Sequence, residues 1–181
     1  MPSVVHEFDP PERFVAGAVG QPGARTFFLQ ARTGRRLVSV ALEKQQVALL
    51  AERVDELLDE VMSLAASVVP AVAPLALDDT APLDQPIEEE FRAGTMTLSW
   101  DGDDERVVIE VYPIAEDDGD EEAEPVEVLL IRIAPAAARA FANRALRVVE
   151  AGRPDCPFCG GPIDPDGHLC PRANGFRRRD P

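Results

Sequence analysis

The spacing of apolar residues changes at Leu42. Before it come short runs rich in Val, Phe and Leu: Arg13–Gly20, Arg25–Gln30 and Leu37–Leu42. Gln21-Pro22-Gly23 and Arg32-Thr33-Gly34-Arg35 separate them. Runs of this length bounded by Gly and Pro predict three strands joined by turns. After Leu42, Val47, Leu50, Val54, Leu57, Val61 and Leu64 recur at steps of three and four, which is one apolar stripe of a helix. Glu52, Asp55, Glu56, Asp59 and Glu60 take its other faces. Pro70 and Pro74 forbid further helix, so residues 66–87 are expected to be a Pro/Ala-rich crossover.

The second half repeats that order. Glu90–Trp100 forms one apolar-polar run, Asp101-Gly102 is a hairpin signal, and Arg106–Tyr112 returns. After the acidic stretch Glu116–Glu124 comes Val126–Ile133, the sixth run. Pro135 stands where a helix tolerates proline, at its first turn. Ala138, Phe141, Ala142, Ala145, Val148 and Val149 make that helix's inner face, and Gly152 with Pro154 stops it. Phe14-Val15-Ala16-Gly17 and Phe91-Arg92-Ala93-Gly94 share Phe-x-Ala-Gly. The repeat is either a duplication or two like meanders. In both cases a three-stranded meander with one helix buries too little surface to stand alone.

The expected fold is therefore α+β over residues 1–152. Duplicated βββα units, about 12–65 and 88–152, form a mostly antiparallel six-stranded sheet or open barrel carrying two helices. The first helix is acidic outside and the second carries Arg139, Arg144 and Arg147, so side-by-side packing is favoured by charge. Residues 153–181 form a separate zinc-knuckle-like segment.

Charge narrows the classes of partner. The net charge is −15, and residues 52–127 hold 24 of the 33 acids against Arg53, Arg92 and Arg106. Such a field repels a phosphate backbone over most of the surface. Residues 128–181 carry nine Arg against five acids, so nucleic acid is admissible only at the carboxyl end. No apolar run approaches the roughly 20 residues that span a bilayer, and the amino terminus lacks the basic and apolar regions of a signal peptide. A cytoplasmic protein with no membrane partner is expected.

The candidate chemistry lies in fifteen residues. Cys156-Pro157-Phe158-Cys159-Gly160 and His168-Leu169-Cys170-Pro171 contain all three cysteines and one of two histidines. Three thiolates and an imidazole complete the tetrahedral shell of a structural zinc site. The Cys-Pro-x-Cys-Gly half has the form of a zinc knuckle, and its glycine lets the backbone turn tightly. The His-x-Cys half is shorter than the commoner Cys-x-x-Cys. A Cys156–Cys159 disulfide would leave Cys170 odd and need an oxidising compartment. A redox pair would open a helix, which Pro154, Pro157, Gly160, Gly161 and Pro162 forbid. Catalytic zinc keeps an open position, whereas here a fourth ligand is at hand. Zinc held by Cys156, Cys159, His168 and Cys170 is the expected cofactor.

Other enzyme signatures are missing. The chain has no Gly-x-x-x-x-Gly-Lys-Ser/Thr loop, no Gly-x-Gly-x-x-Gly after a strand and no His-Glu-x-x-His. His6, with Glu7, Asp9 and Glu12 nearby, reads as an inert surface histidine on a flexible terminus. The run Glu116–Glu124 lacks the ligand spacing of a calcium loop and reads as a solvated hairpin tip. Arg172, Phe176, Arg177, Arg178 and Arg179 follow the zinc loop. They are candidates for contact with a nucleic acid, by stacking and phosphate pairing, or with a partner protein. The same arginines could instead fold back onto the acidic body.

The ending Cys-Pro-Phe-Cys-Gly-Gly-Pro-Ile-Asp-Pro-Asp-Gly-His-Leu-Cys-Pro-Arg-Ala-Asn-Gly, with the early Phe8-x-x-x-x-Arg13-Phe14-x-Ala16-Gly17, resembles a family of uncharacterised actinobacterial proteins of this length. The resemblance covers nearly the whole chain. It implies a cytoplasmic actinobacterial protein and carries no activity with it. The expected function is that of a non-enzymatic zinc-binding adaptor or regulatory subunit with a protein partner. A nucleic-acid-associated factor is the alternative, and a hydrolase with a metal or carboxylate centre ranks third.

Overall fold

The computed structural model describes residues 4–64, 68–115, 127–151, 156–161, 163, 168–170 and 172. Seven strands and two helices follow in the order β1 (Val4–Phe8), β2 (Arg13–Val19), β3 (Thr26–Thr33), β4 (Arg36–Leu42), α1 (Lys44–Leu64), β5 (Glu89–Asp101), β6 (Arg106–Pro113), β7 (Glu127–Ile133) and α2 (Pro135–Glu150). A 3-10 turn, Leu75–Leu77, lies in the crossover. The acidic run 116–124 and the tail 173–181 lie outside the described residues.

The sheet is mixed and seven-stranded, which corrects the expectation of six mostly antiparallel strands. Its order is β1-β7-β6-β5-β4-β3-β2. Each meander is antiparallel as expected. Between them β4 and β5 run parallel, with Val40 opposite Phe91. The cause is α1: a helix of 21 residues extends about 32 Å and returns the chain to the end at which β4 began. The crossover that follows brings the chain alongside β4, and β5 runs in the same direction. Strand β1, absent from the expectation, pairs parallel with β7 and sets His6 opposite Leu129.

The sheet must curl. Only Asp9–Glu12 join β1 to β2, a reach of about 17 Å from Phe8 to Arg13 at full extension. Six strand spacings laid flat would separate those edges by about 29 Å. Closure is visible where β1 touches β3. Arg36 donates to the Glu7 carbonyl at 2.6 Å and lies over the Phe8 ring at 4.4 Å.

One face of all seven strands and the inner faces of both helices form a continuous core. It runs through Leu29, Val40, Ile109, Leu129 and Ile131 on the sheet and Val47, Val54, Leu58 and Phe141 on the helices. The α1 stripe drifts, as a period of 3.6 must against steps averaging 3.5. Burial passes from Leu57 to Leu58, and Leu64 ends exposed. Phe141 stacks on Phe14 at 4.4 Å, docking α2 on β2. Arg139 bridges the helices through Asp55 and Asp59 at 3.0 and 2.9 Å. Its side chain is nearly buried, so this is more than the exposed pairing that the charge pattern implied.

The crossover is a strap over the other face of β2–β4. Leu83 packs on Val15, Phe28 and Ala41. A Cβ at Gly17 would lie 2.5 Å from Leu83 Cδ2, so the strap's close approach needs glycine there. Gly94, the equivalent residue of the second Phe-x-Ala-Gly, is equally confined: its Cβ would meet Ile114 Cα and the Pro113 carbonyl at 2.8 Å. Buried Gln30 bonds Ser39 and exchanges two hydrogen bonds with the Asp84 backbone. Arg13 from β2 and Arg144 from α2 both hold the strap through Asp79.

Candidate metal centre

The cysteine-rich segment follows α2. The Cys156 N–H donates to the Gly161 carbonyl at 2.7 Å and the Gly160 N–H to the Cys156 carbonyl at 2.8 Å. Gly160 has φ +71°, a left-handed conformation that L side chains rarely adopt. This turn aims both sulfurs of Cys-x-x-Cys to one side. The Phe158 N–H points at Cys156 Sγ from 3.4 Å.

The second half brings the remaining ligands. Cys156 Sγ lies 3.7 Å from Cys170 Sγ, and Cys159 Sγ lies 3.4 Å from His168 Nε2. Ligand atoms of all four residues fall within 4.8 Å of one another. A tetrahedral ion with bonds of about 2.3 Å to sulfur and 2.05 Å to nitrogen separates its ligands by about 3.5–3.8 Å. The cluster is preset for such an ion, and no disulfide joins the three cysteines. Cys156 and Cys170 are buried, with Cys159 and His168 half-buried.

Electrostatics favours a cation here. Burial raises the Cys156 thiol, but hydrogen bonds from the Cys159 and Phe158 backbone and from the neighbouring thiols outweigh it and hold that thiol below its ordinary value. At Cys159 the Gly161 backbone favours the thiolate. Burial and the Cys170 and Cys156 sulfurs together push it up instead. The thiolate is thus favoured at Cys156 and disfavoured at Cys159, and a bound metal would remove that difference by taking both as thiolates.

Residues 6–170 match the model of a family described as "Protein of unknown function (DUF3090)". The chain belongs to the DUF3090 family. The match runs from β1 to the last cysteine, so the curled sheet and the metal cluster both lie within it. No curated protein and no solved structure matches the chain. In this DUF3090 protein no helix among the described residues is long and apolar enough to cross a membrane.

The structure brings together Cys156, Cys159, His168 and Cys170. Arg172 donates to the Phe158 carbonyl at 3.2 Å, buttressing the knuckle. Phe176, Arg177, Arg178 and Arg179 lie outside the described residues. His6 is corrected: it sits on a strand, its side chain 14% exposed, with Nε2 2.6 Å from Glu127 Oε1. The apolar Val4-Val5 and Phe8 around it were the available signal for a strand.

Proposed function

We propose that this DUF3090 protein is a non-enzymatic zinc-binding adaptor or regulatory subunit whose metal knuckle docks on a partner protein. The observation that carries the reading is the four-ligand cluster itself. A shell of three sulfurs and one imidazole suits zinc, being soft and tetrahedral, and leaves no position at which a substrate could bind. Such a metal acts by fixing the loop that holds it.

That loop carries apolar tips. Phe158, between the first two cysteines, is 61% exposed, and Leu169, between His168 and Cys170, is 87% exposed. Each is tethered by metal ligands on both sides. An exposed aromatic held on a rigid loop is the type of side chain that anchors protein interfaces. Zinc stabilises the presentation, and the side chains supply the contact.

The test is affinity capture from the native cell with the zinc-loaded protein, with identification by mass spectrometry and a nuclease-treated control in parallel. A specific protein is expected to be retained, and to be lost with Phe158→Ala/Leu169→Ser while the zinc content stays unchanged. Nucleic acid recovered alone, lost on removing Arg177 to Arg179, would replace this reading with the nucleic-acid factor. A partner retained equally by the metal-free protein would also sink it.

A further inference from the structure

We propose that His6, Glu90 and Glu127 form a second metal site, which binds a hard or borderline divalent cation such as Mn²⁺ at the end of the sheet where β5 and β7 begin. The three residues stand on β1, β5 and β7. Their ligand atoms lie within 4.8 Å of one another. His6 Nε2 is 2.6 Å from Glu127 Oε1 and 3.9 Å from Glu90 Oε1. Ligands about 2.1 Å from a six- or four-coordinate ion are about 3.0–3.4 Å apart. The two separations from His6 bracket that range, so small side-chain shifts bring both carboxylates to it.

The backbone explains how Glu90 joins residues across the sheet. The register of β4 and β5 shifts between Ser39 and Val40, pairing Ser39 with Glu89 and Val40 with Phe91. Glu90 is the extra residue of this bulge, and bulges re-aim side chains. Parallel pairing of β1 with β7 sets Val4 opposite Glu127 and His6 opposite Leu129. His6 and Glu127 are therefore diagonal neighbours on one face.

Charge selects a divalent ion. Asp55, Asp59, Asp78, Asp79, Asp84 and Asp101 each meet an arginine. Among the described residues, Glu90 and Glu127 have His6 as their ion-pair partner and no arginine. Two carboxylates share one imidazole, whose proton neutralises one of them at most. A divalent cation balances both and leaves the imidazole neutral as a ligand.

The donor set differs from the knuckle's. One nitrogen and two carboxylate oxygens suit Mn²⁺ or Zn²⁺, whereas three thiolates disfavour Mn²⁺. Three protein ligands also leave coordination positions open, the condition for a metal that binds water or a small ligand. The Glu90 side chain is 42% exposed, which gives the site access from solvent.

The test uses the full chain with its knuckle already filled by zinc. Mn²⁺ is titrated in, and free ion is followed by electron paramagnetic resonance. One Mn²⁺ per chain is expected, with an unfolding midpoint that rises with Mn²⁺ by mass action. Glu127→Gln and Glu90→Gln should each weaken binding by at least about tenfold, since even indirect supports of a metal ligand contribute that much. Both variants keep side-chain size, and circular dichroism confirms that they fold. Cys159→Ser should leave Mn²⁺ binding unchanged. Wild-type binding of Mn²⁺, and of Zn²⁺ in a parallel titration, no tighter than that of Glu127→Gln would overturn the proposal and leave a simple histidine–glutamate pair.

Discussion

Replacing Asp79 with Asn tests whether charge holds the crossover strap in place. Asp79 Oδ2 accepts from Arg13 Nε at 2.7 Å, and Oδ1 accepts from Arg13 Nη2, Arg144 Nη1 and the Ala81 N–H, each at 3.0 Å. The two arginine side chains are only 10% and 8% exposed, so neither can turn to water. Asn preserves the shape but removes the charge, and its amide presents a donor to a donor. Removing one partner of a buried pair costs about 3–5 kcal/mol. Arg13 keeps Asp84, and Arg144 keeps the carbonyls of Ala16 and residue 79. Asp79 is also partly solvated, so the expected loss is about 2–4 kcal/mol. With an m-value of about 2 kcal/mol per molar, the urea midpoint should fall by about 1–2 M. Asp104→Asn is the control: it is 71% exposed, its partner Arg132 keeps Asp101 and Asp9, and under about 1 kcal/mol is expected. A shift for Asp79→Asn no larger than this control refutes the reasoning. The pH dependence gives a second check. The Arg13 hydrogen bond, against the opposing effect of burial, holds the Asp79 carboxyl below its ordinary value. Its contribution is therefore present above the unfolded value of about 3.9 and is lost as pH falls through the lower folded one. The gap between wild type and Asp79→Asn should be full near neutrality and close below about pH 4.

Protein purified without a polyhistidine tag should carry about one zinc per chain by elemental analysis, as a single four-ligand shell requires. Cys159→Ser should lose that metal while leaving the urea transition of the sheet unchanged, because its core is built without the loop. Leu58→Ala should destabilise by about 2–5 kcal/mol. Leu64→Ala, at the exposed end of the same helix, should stay within about 0.5 kcal/mol. Gly94→Ala should cost about 1–3 kcal/mol and more than Gly17→Ala, since its Cβ meets fixed backbone whereas that at Gly17 meets the Leu83 side chain.

Elements formed by contiguous residues were legible in the sequence. All six strands after the terminus and both helices came from local periodicity, and the paired Phe-x-Ala-Gly motifs fell on the corresponding strands β2 and β5. Partnership between elements was not legible. Nothing in Leu37–Leu42 says whether β5 will run with or against it; that depends on where α1 and the strap deliver the chain. The short strand β1 was hidden for a related reason. Its five residues alternate weakly, and it exists because β7 offers an edge more than 120 residues away. The strap's anchoring was equally invisible, since Arg13 and Arg144 lie far in the sequence from Asp79 and Asp84 and meet them only in the fold.

The two metal clusters divide along the same line. Cys156, Cys159, His168 and Cys170 lie within one loop, so the chain-entropy cost of gathering them is small and their spacing alone indicates a tetrahedral soft-metal site. His6, Glu90 and Glu127 span 121 residues and use side chains that are common on any acidic surface. No spacing rule connects them. They meet because a register shift in β5 and a parallel terminal strand place them at one end of a curled sheet, so the fold must form before the ligands exist as a set. Metal at the knuckle should therefore fold its own loop, while Mn²⁺ at the sheet site should bind only the folded body. A mildly denaturing urea concentration separates them: Mn²⁺ affinity should vanish with the sheet's unfolding transition, and zinc should remain on the knuckle. Mn²⁺ binding that persists in the unfolded chain would refute this division.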